Sequence, residues 1–303
     1  MKNKEDNLLT VVMLCKIADV SKSGYYNWIA SEENRIKQEE QDRKDFDLIL
    51  EAYNYRGYNK GARSIYMHLL HQENPVIMNV KKIRRLMKKY NLFCPVRKAN
   101  PYRRMAKALK TNNVADNLVN REFKEHGPRM ILLTDITYIK YNDKTCYLST
   151  ILDAFTKEIL SYVLSESLEV DFVLETVNQL IDKHGISLTT ETLIHSDQGC
   201  HYTSYSFIQI LKDKELRQSM SRKGNCWDNA PQESFFGHMK DEIDLSQCKI
   251  FNDVKVIIDD WIDYYNNERY QWDLAKLSPV EYYQYVTTGI YPIKIGNSKN
   301  PSS

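Results

Sequence analysis

The sequence predicts an α/β protein in which a helical, basic N-terminal region precedes a strand-rich core and a helical C-terminal segment follows it. Apolar residues recur at helical spacing as far as about residue 91. From Arg129 the pattern becomes strand-like, with runs rich in Ile, Leu, Tyr and Thr that alternate with further helical stretches. The length of 303 residues gives room for two domains, or for one catalytic domain with helical appendages.

The first apolar helical stretch covers residues 8–18. The turn that follows, 19–24, leads into Tyr25, Tyr26 and Trp28, with Ser21 placed to cap a second helix. This unit reads equally as a small helix–turn–helix or as a two-helix element for protein contact. A second helical block spans about 37–91. Its last helix begins after Asn79, a favourable N-cap, and puts Val80, Ile83, Leu86, Met87 and Tyr90 on one stripe facing Ile65, Leu69 and Leu70. Lys81, Lys82, Arg84, Arg85, Lys88 and Lys89 fill its other faces, where cations can meet phosphates without reading bases. Pro95 and Pro101 break the chain into a basic linker.

Three consecutive strands are expected at 130–141, 146–152 and 158–164. Their connections, at 142–144 and 153–156, are short enough to make them antiparallel. A helix follows at 170–183, with Phe172, Val173, Val177, Leu180 and Ile181 at core spacing, then a strand at 191–195 and a helix at 204–214. A further strand is expected before the Gly/Asn-rich loop 223–229. The next helix starts near Ala230, with Pro231 in its first turn.

Composition excludes several classes. Charged residues at 27% and apolar ones at 42% are ordinary for a globular protein. No apolar run approaches a bilayer span, and the Lys- and Asn-rich start lacks a signal-peptide core, so the protein is expected in the cytoplasm. Cys15, Cys94, Cys146, Cys200, Cys226 and Cys248 form no C-x-x-C pair, which argues against structural zinc and a disulfide framework. His68, His71 and Cys94 lack a fourth ligand, because Arg97 stands in that position. The net charge of +2 hides an asymmetry. Residues 81–110 hold twelve Lys or Arg and no Asp or Glu, which leaves thirty basic against forty acidic residues elsewhere. A basic stretch on an otherwise acidic chain is a footprint for a polyanion.

Three carboxylates carry the chemistry. Asp135 sits inside an apolar strand, where a charge is costly unless something compensates it. Asp197 follows directly on the strand at 191–195, and Glu233 lies in the first turn of a helix. Brought together, they surround a space suited to two hard divalent cations, Mg²⁺ or Mn²⁺, with Asp135 bridging both and Asp197 and Glu233 each holding one. Taken singly, each has a simpler reading, as a salt-bridge partner or as a charge complementing a helix dipole.

Spacing narrows the choice. Thirty-five residues separate Asp197 from Glu233, and Lys240 lies seven beyond the glutamate. This arrangement resembles the D,D(35)E pattern, with its basic residue at +7, of retroviral-type integrases and bacterial insertion-sequence transposases. The flanking words are Thr-Asp-Ile-Thr-Tyr at 134–138, His-Ser-Asp-Gln-Gly at 195–199, Tyr-Thr-Ser at 202–204 and the run 221–236. With Tyr-Asn-Asn-Glu-Arg at 265–269 and Ser-Pro-Val-Glu-Tyr at 278–282, they look like the second-frame (orfB-type) transposase subunit, over residues 43–282. Gln198 departs from the Arg often found there, and Cys200 and His201 from Ser and Gln.

The resemblance implies an RNase H-like integrase core, a mixed five-stranded sheet flanked by helices. It also implies nicking at transposon ends, attack of the freed 3′-hydroxyl on another phosphodiester, and no covalent enzyme intermediate. Glu233 and Lys240 share a helix face, which puts Lys240 beside the carboxylates as a DNA contact. Implied partners are DNA and a smaller upstream-frame (orfA-type) protein, which can be joined to this chain as a frameshift fusion; joining paired ends calls for a homo-oligomer on DNA. The expected division is 1–36 (helical, HTH-like), 37–110 (basic HTH-like domain and linker), 111–127 (linker), 128–246 (catalytic core) and 247–303 (C-terminal segment). His195 reads as a group reaching toward the metal site or, at least as well, as a structural strand-end histidine, while Asn225, Trp227 and Asn229 read as shaping a mobile loop over DNA and, nearly as well, as capping and packing residues. Two other classes stay open at this point. A non-enzymatic DNA-binding regulator leaves the three carboxylates without a purpose, and a nuclease that cleaves without joining is separated only by an assay for joined product.

Overall fold

The computed structural model describes residues 10–57, 60–95, 126–221 and 229–293. The expected linker, the basic residues from 96 to 110, Asn225 and Trp227 lie outside the described residues.

Helix α1 (Val11–Ile17) and helix α2 (Lys22–Ala30) form the first pair, and the Ser21 hydroxyl accepts from the Gly24 N–H at 3.0 Å as the expected cap. Helix α3 (Glu32–Asn54) then runs unbroken for 23 residues. A boundary at 36/37 therefore cuts a continuous helix; there is no Gly or Pro between Glu32 and Asn54 to stop it, and Glu32 and Glu33 favour its N-terminus. Helices α4 (Ala62–Leu70) and α5 (Val80–Lys89) close against α3 over Ile49, Ala52, Ile65, Leu69, Ile83, Leu86 and Met87. Asn79 caps α5 as expected, its side chain accepting from the Lys81 N–H at 2.8 Å.

The strands are β1 (Ile131–Tyr141), β2 (Lys144–Asp153), β3 (Ile159–Ser165), β4 (Leu193–Ser196) and β5 (Arg217–Met220). They form one mixed sheet in the order β3-β2-β1-β4-β5: the first three are antiparallel, while β4 and β5 run parallel to β1. The β1–β2 hairpin turns on Asn142 and Asp143, both at positive φ (40° and 59°), as a two-residue hairpin loop whose twist matches the strands requires.

Alternation along β1 divides the core into two layers. Leu132, with Ile151 and Ile194, packs on α6 (Asp171–His184) and α7 (Tyr205–Asp213) through Phe172, Val177, Phe207 and Leu211. Ile131 and Leu133 belong to the opposite layer, which α8 (Ala230–Glu242) and α9 (Phe251–Asn267) complete with Phe235, Met239, Ile258 and the fully buried Trp261. Helix α9, drawn in the sequence as part of a separate C-terminal segment, thus shares the hydrophobic core of the sheet.

The last helix, α10 (Pro279–Thr288), and α9 also carry the helical domain. Arg56, at φ 54° just past α3, donates to Glu268 and Asp260, and the Tyr55 hydroxyl donates to Glu268. His71 stacks on Tyr270 at 3.5 Å and faces Glu281 at 3.3 Å. Among the described residues, no helix is long and apolar enough to cross a membrane.

Candidate active site

Pairing geometry brings two carboxylates near each other. Leu133 of β1 lies opposite His195 of β4 in a parallel ladder, and Asp135, two residues further on, lies close enough to Asp197, just past the end of β4, to feel its charge. Adjacent strands are only about 5 Å apart. Half-buried Asp135 accepts from the Ile136 N–H at 2.7 Å and from the Asn229 amide at 3.2 Å. Its burial and then the nearby Asp197 charge push it up to about 7, and Glu233 adds to the rise, against the Ile136 N–H and the Lys240 cation.

Asp197 is exposed just past β4, and its Oδ1 accepts from the Gly199 N–H at 2.8 Å. A Cβ on Gly199 would meet that same oxygen at 2.8 Å, so the glycine is what lets the backbone close on the carboxylate. Glu233 is exposed in the first turn of α8, behind Pro231. Lys240, two turns further along, donates to the Thr137 hydroxyl, which lies two residues beyond Asp135 on β1. Among the described residues, no group of three or more Asp, Glu, His or Cys side chains is gathered closely enough to hold a metal ion as placed. What the fold does bring together is Asp135 with the charges of Asp197, Glu233 and Lys240 within reach of it.

His195 is buried between Ser219 (Nδ1 to Oγ, 2.9 Å) and Ser221 (Nε2 to Oγ, 3.1 Å). It ties the end of β4 to β5 and its continuation.

The basic helix sorts its cations by face. Arg85 makes a two-pronged contact with Asp42 of α3 at 2.7 Å on each prong, Lys89 reaches Asp42 and Glu39, and Lys82 pairs with Asp45. Lys81, Arg84 and Lys88 form an exposed i, i+3, i+7 stripe that makes no ion pair among the described residues. Sequence reasoning placed all six on phosphate-facing sides and missed Glu39, Asp42 and Asp45. Their three-residue spacing on α3 was the available signal, but only tertiary packing pairs them with α5. Gly199 and Thr137 were also missed as site residues, although both lie within the motif words.

Family models for an integrase core domain match residues 125–226 and 214–279, and one for an HTH-like domain matches residues 40–100. The putative transposase InsK for insertion sequence element IS150 of Escherichia coli (strain K12) is 32% identical over 270 residues, which cover 89% of this chain and 92% of that protein. The 31 kDa protein of insertion element IS600 of Shigella sonnei is 30% identical over 272 residues, or 89% of this chain and 97% of that protein. The HTLV-2 integrase catalytic core domain in complex with magnesium aligns over 52% of this chain and 97% of that domain at 14% identity, with a TM-score of 0.38, too low to bear on this chain's chemistry.

The integrase-core matches span the sheet and the helix carrying Glu233, which makes the protein a polynucleotidyl transferase of the integrase-core class. Similarity to InsK along nearly the whole length of both chains narrows the class further. The chain belongs to the insertion-sequence transposases, enzymes of DNA transposition and integration.

Proposed function

We propose that Asp135, Asp197 and Glu233 form the catalytic centre, and that it cleaves DNA at transposon ends and joins the freed 3′-hydroxyl to a second phosphodiester. The observation that carries this reading is the nearness of Asp135 on β1 to Asp197 just past the end of the neighbouring parallel strand β4, with Asp135 held up to about 7 by burial and by the other carboxylates. A half-buried acid pressed by like charges is poised to take a cation. The donors are carboxylate oxygens, the hard ligands that Mg²⁺ and Mn²⁺ prefer, and the long exposed side chain of Glu233 can swing toward the pair from α8. Two such ions, when bound, activate the attacking oxygen and stabilise the departing one.

The chain's own groups perform the rest. Asp135 stands fixed on the central strand by the Ile136 N–H, and Gly199 fixes Asp197 from its own loop. Lys240, anchored on Thr137, sets a positive charge beside the carboxylates where a DNA phosphate enters. Lys81, Arg84 and Lys88 face the phosphate backbone, while Lys82, Arg85 and Lys89 fasten α5 to α3. The protein works as a homo-oligomer on paired ends, with an upstream-frame partner contributing to end recognition.

The test is a strand-transfer assay with labelled DNA ends taken from the flanks of the chain's own gene, run with Mg²⁺ and with chelator. Joined product that requires the cation supports the reading. Cleaved but unjoined ends reduce the activity to that of a nuclease, and binding without either product removes the catalytic assignment.

A further inference from the structure

Two amides at the start of α8 face the sheet at the height of Asp135. Asn229 is only 5% exposed, and its Nδ2 donates to Asp135 Oδ2 at 3.2 Å. Gln232, three residues on and fully buried, donates to the hydroxyl of Thr150, the residue paired with Asp135 across β1 and β2. The three-residue spacing puts both amides on one side of the helix. Asn229 occupies the N-cap position of α8, where Asn ordinarily accepts from a backbone N–H of the first turn, yet its side chain makes no capping bond. It is turned to the carboxylate instead.

The amide orientation follows from chemistry. In its ionised, cation-binding form Asp135 only accepts, so the NH₂ group of Asn229 faces it and the carbonyl oxygen faces away. That oxygen is buried and has no hydrogen-bond partner among the described residues, and the same holds for the Gln232 Oε1. A buried polar oxygen without a donor costs about 1–3 kcal/mol, and such a cost is tolerated where a ligand removes it. A hydrated divalent cation held by Asp135 would supply O–H donors to such an oxygen.

We propose that Asn229 is a positioning residue of the catalytic centre: its N–H holds the Asp135 carboxylate in one orientation, and its amide oxygen accepts from the hydration shell of the bound cation. This rests on Asp135 being a metal-binding carboxylate. Outer partners of this kind typically change metal affinity or activity by about 10- to 100-fold when removed.

The experiment uses the full chain and two readouts. Mn²⁺ uptake is followed by paramagnetic resonance for wild type, Asn229→Ala and Asp135→Asn, with the thermal midpoint of each recorded. Asn229→Ala should weaken Mn²⁺ binding by about tenfold or more with an unchanged midpoint, since no cap is lost. Asn229→Asp supplies the second readout. Asp caps helices as well as Asn does, but in its ionised form its carboxylate cannot donate to Asp135 and repels it, so strand transfer measured above pH 7 should fall about tenfold or more. Wild-type affinity in Asn229→Ala, or wild-type joining in Asn229→Asp, overturns the proposal while leaving the centre intact. If wild type takes up no Mn²⁺, or Asp135→Asn takes up as much as wild type, the metal-centre reading fails and this inference fails with it.

Discussion

Asp42 and Asp135 are both aspartates withdrawn from water, and their surroundings treat them in opposite ways. Asp42, on α3, has Arg85, Lys89 and Gln38 around its carboxylate, with Arg85 contributing most, and is held well below the usual carboxylate range. Asp135, on β1, has Asp197 and Glu233 near it and is pushed up to about 7, mainly by burial. The first carboxylate is complete within the fold. The second is left in tension that a cation would relieve, and this contrast separates a charge that holds structure from one that awaits a ligand.

The largest effect that tests the contrast is on chemistry. Asp135→Asn should reduce joining by more than about a hundredfold while leaving the fold intact. Its stability should also respond to pH in the opposite sense to that of the helical domain. The folded value of Asp135 is raised, so its contribution is fully present below the unfolded value of about 3.9 and is lost as pH rises through about 7. Melting in chelator at pH 5 and pH 8 should therefore show a drop toward high pH that Asp135→Asn reduces; an unchanged drop would place the tension elsewhere.

Next in size is Trp261→Ala, which empties the fully buried indole site on α9. It should cost about 3–5 kcal/mol in urea unfolding and take strand transfer with it, because α9 packs in the same layer as α8. A mild cost would detach α9 from the catalytic core.

Asp42→Ala should then cost about 1–3 kcal/mol, with joining rates per folded molecule little changed. Here the folded value is depressed, so the stabilisation is present above about pH 3.9 and is lost as pH falls through the folded value. Acid unfolding of the wild type and the variant should converge at low pH, and parallel curves would contradict the pairing.

The smallest effect separates the two faces of α5. Each of Lys81→Gln, Arg84→Gln and Lys88→Gln should reduce the slope of log affinity against log salt by about 0.9, whereas Lys82→Gln should leave the slope nearly unchanged and lower stability instead. Equal slope changes at all four positions would erase the division between faces.

Much of this arrangement was legible before any coordinates. The strands could be read because alternation and β-branched residues run through 130–164, and α8 because Pro231 marks its first turn. The nearness of Asp135 and Asp197 was not legible, since it depends on the parallel pairing of β1 with β4, which local pattern does not contain. The division of the α5 cations was hidden for a related reason: Asp42 lies 43 residues from Arg85 in the chain, and only the packing of α3 on α5 joins them. Asn229 was read as part of a loop over DNA or as a capping or packing residue; its turn toward Asp135 is visible only once α8 lies against β1. The continuity of α3 was missed although no helix-breaking residue stands between Glu32 and Asn54.

The most direct test of the central claim measures joined DNA product and DNA binding in the same samples for wild type, Glu233→Gln and the double variant Asp197→Asn/Glu233→Gln in Mg²⁺. If the three carboxylates work as one centre, both variants bind DNA as wild type does and neither joins, with the double no worse than the single. Joining by Glu233→Gln at a substantial fraction of the wild-type rate would contradict the account.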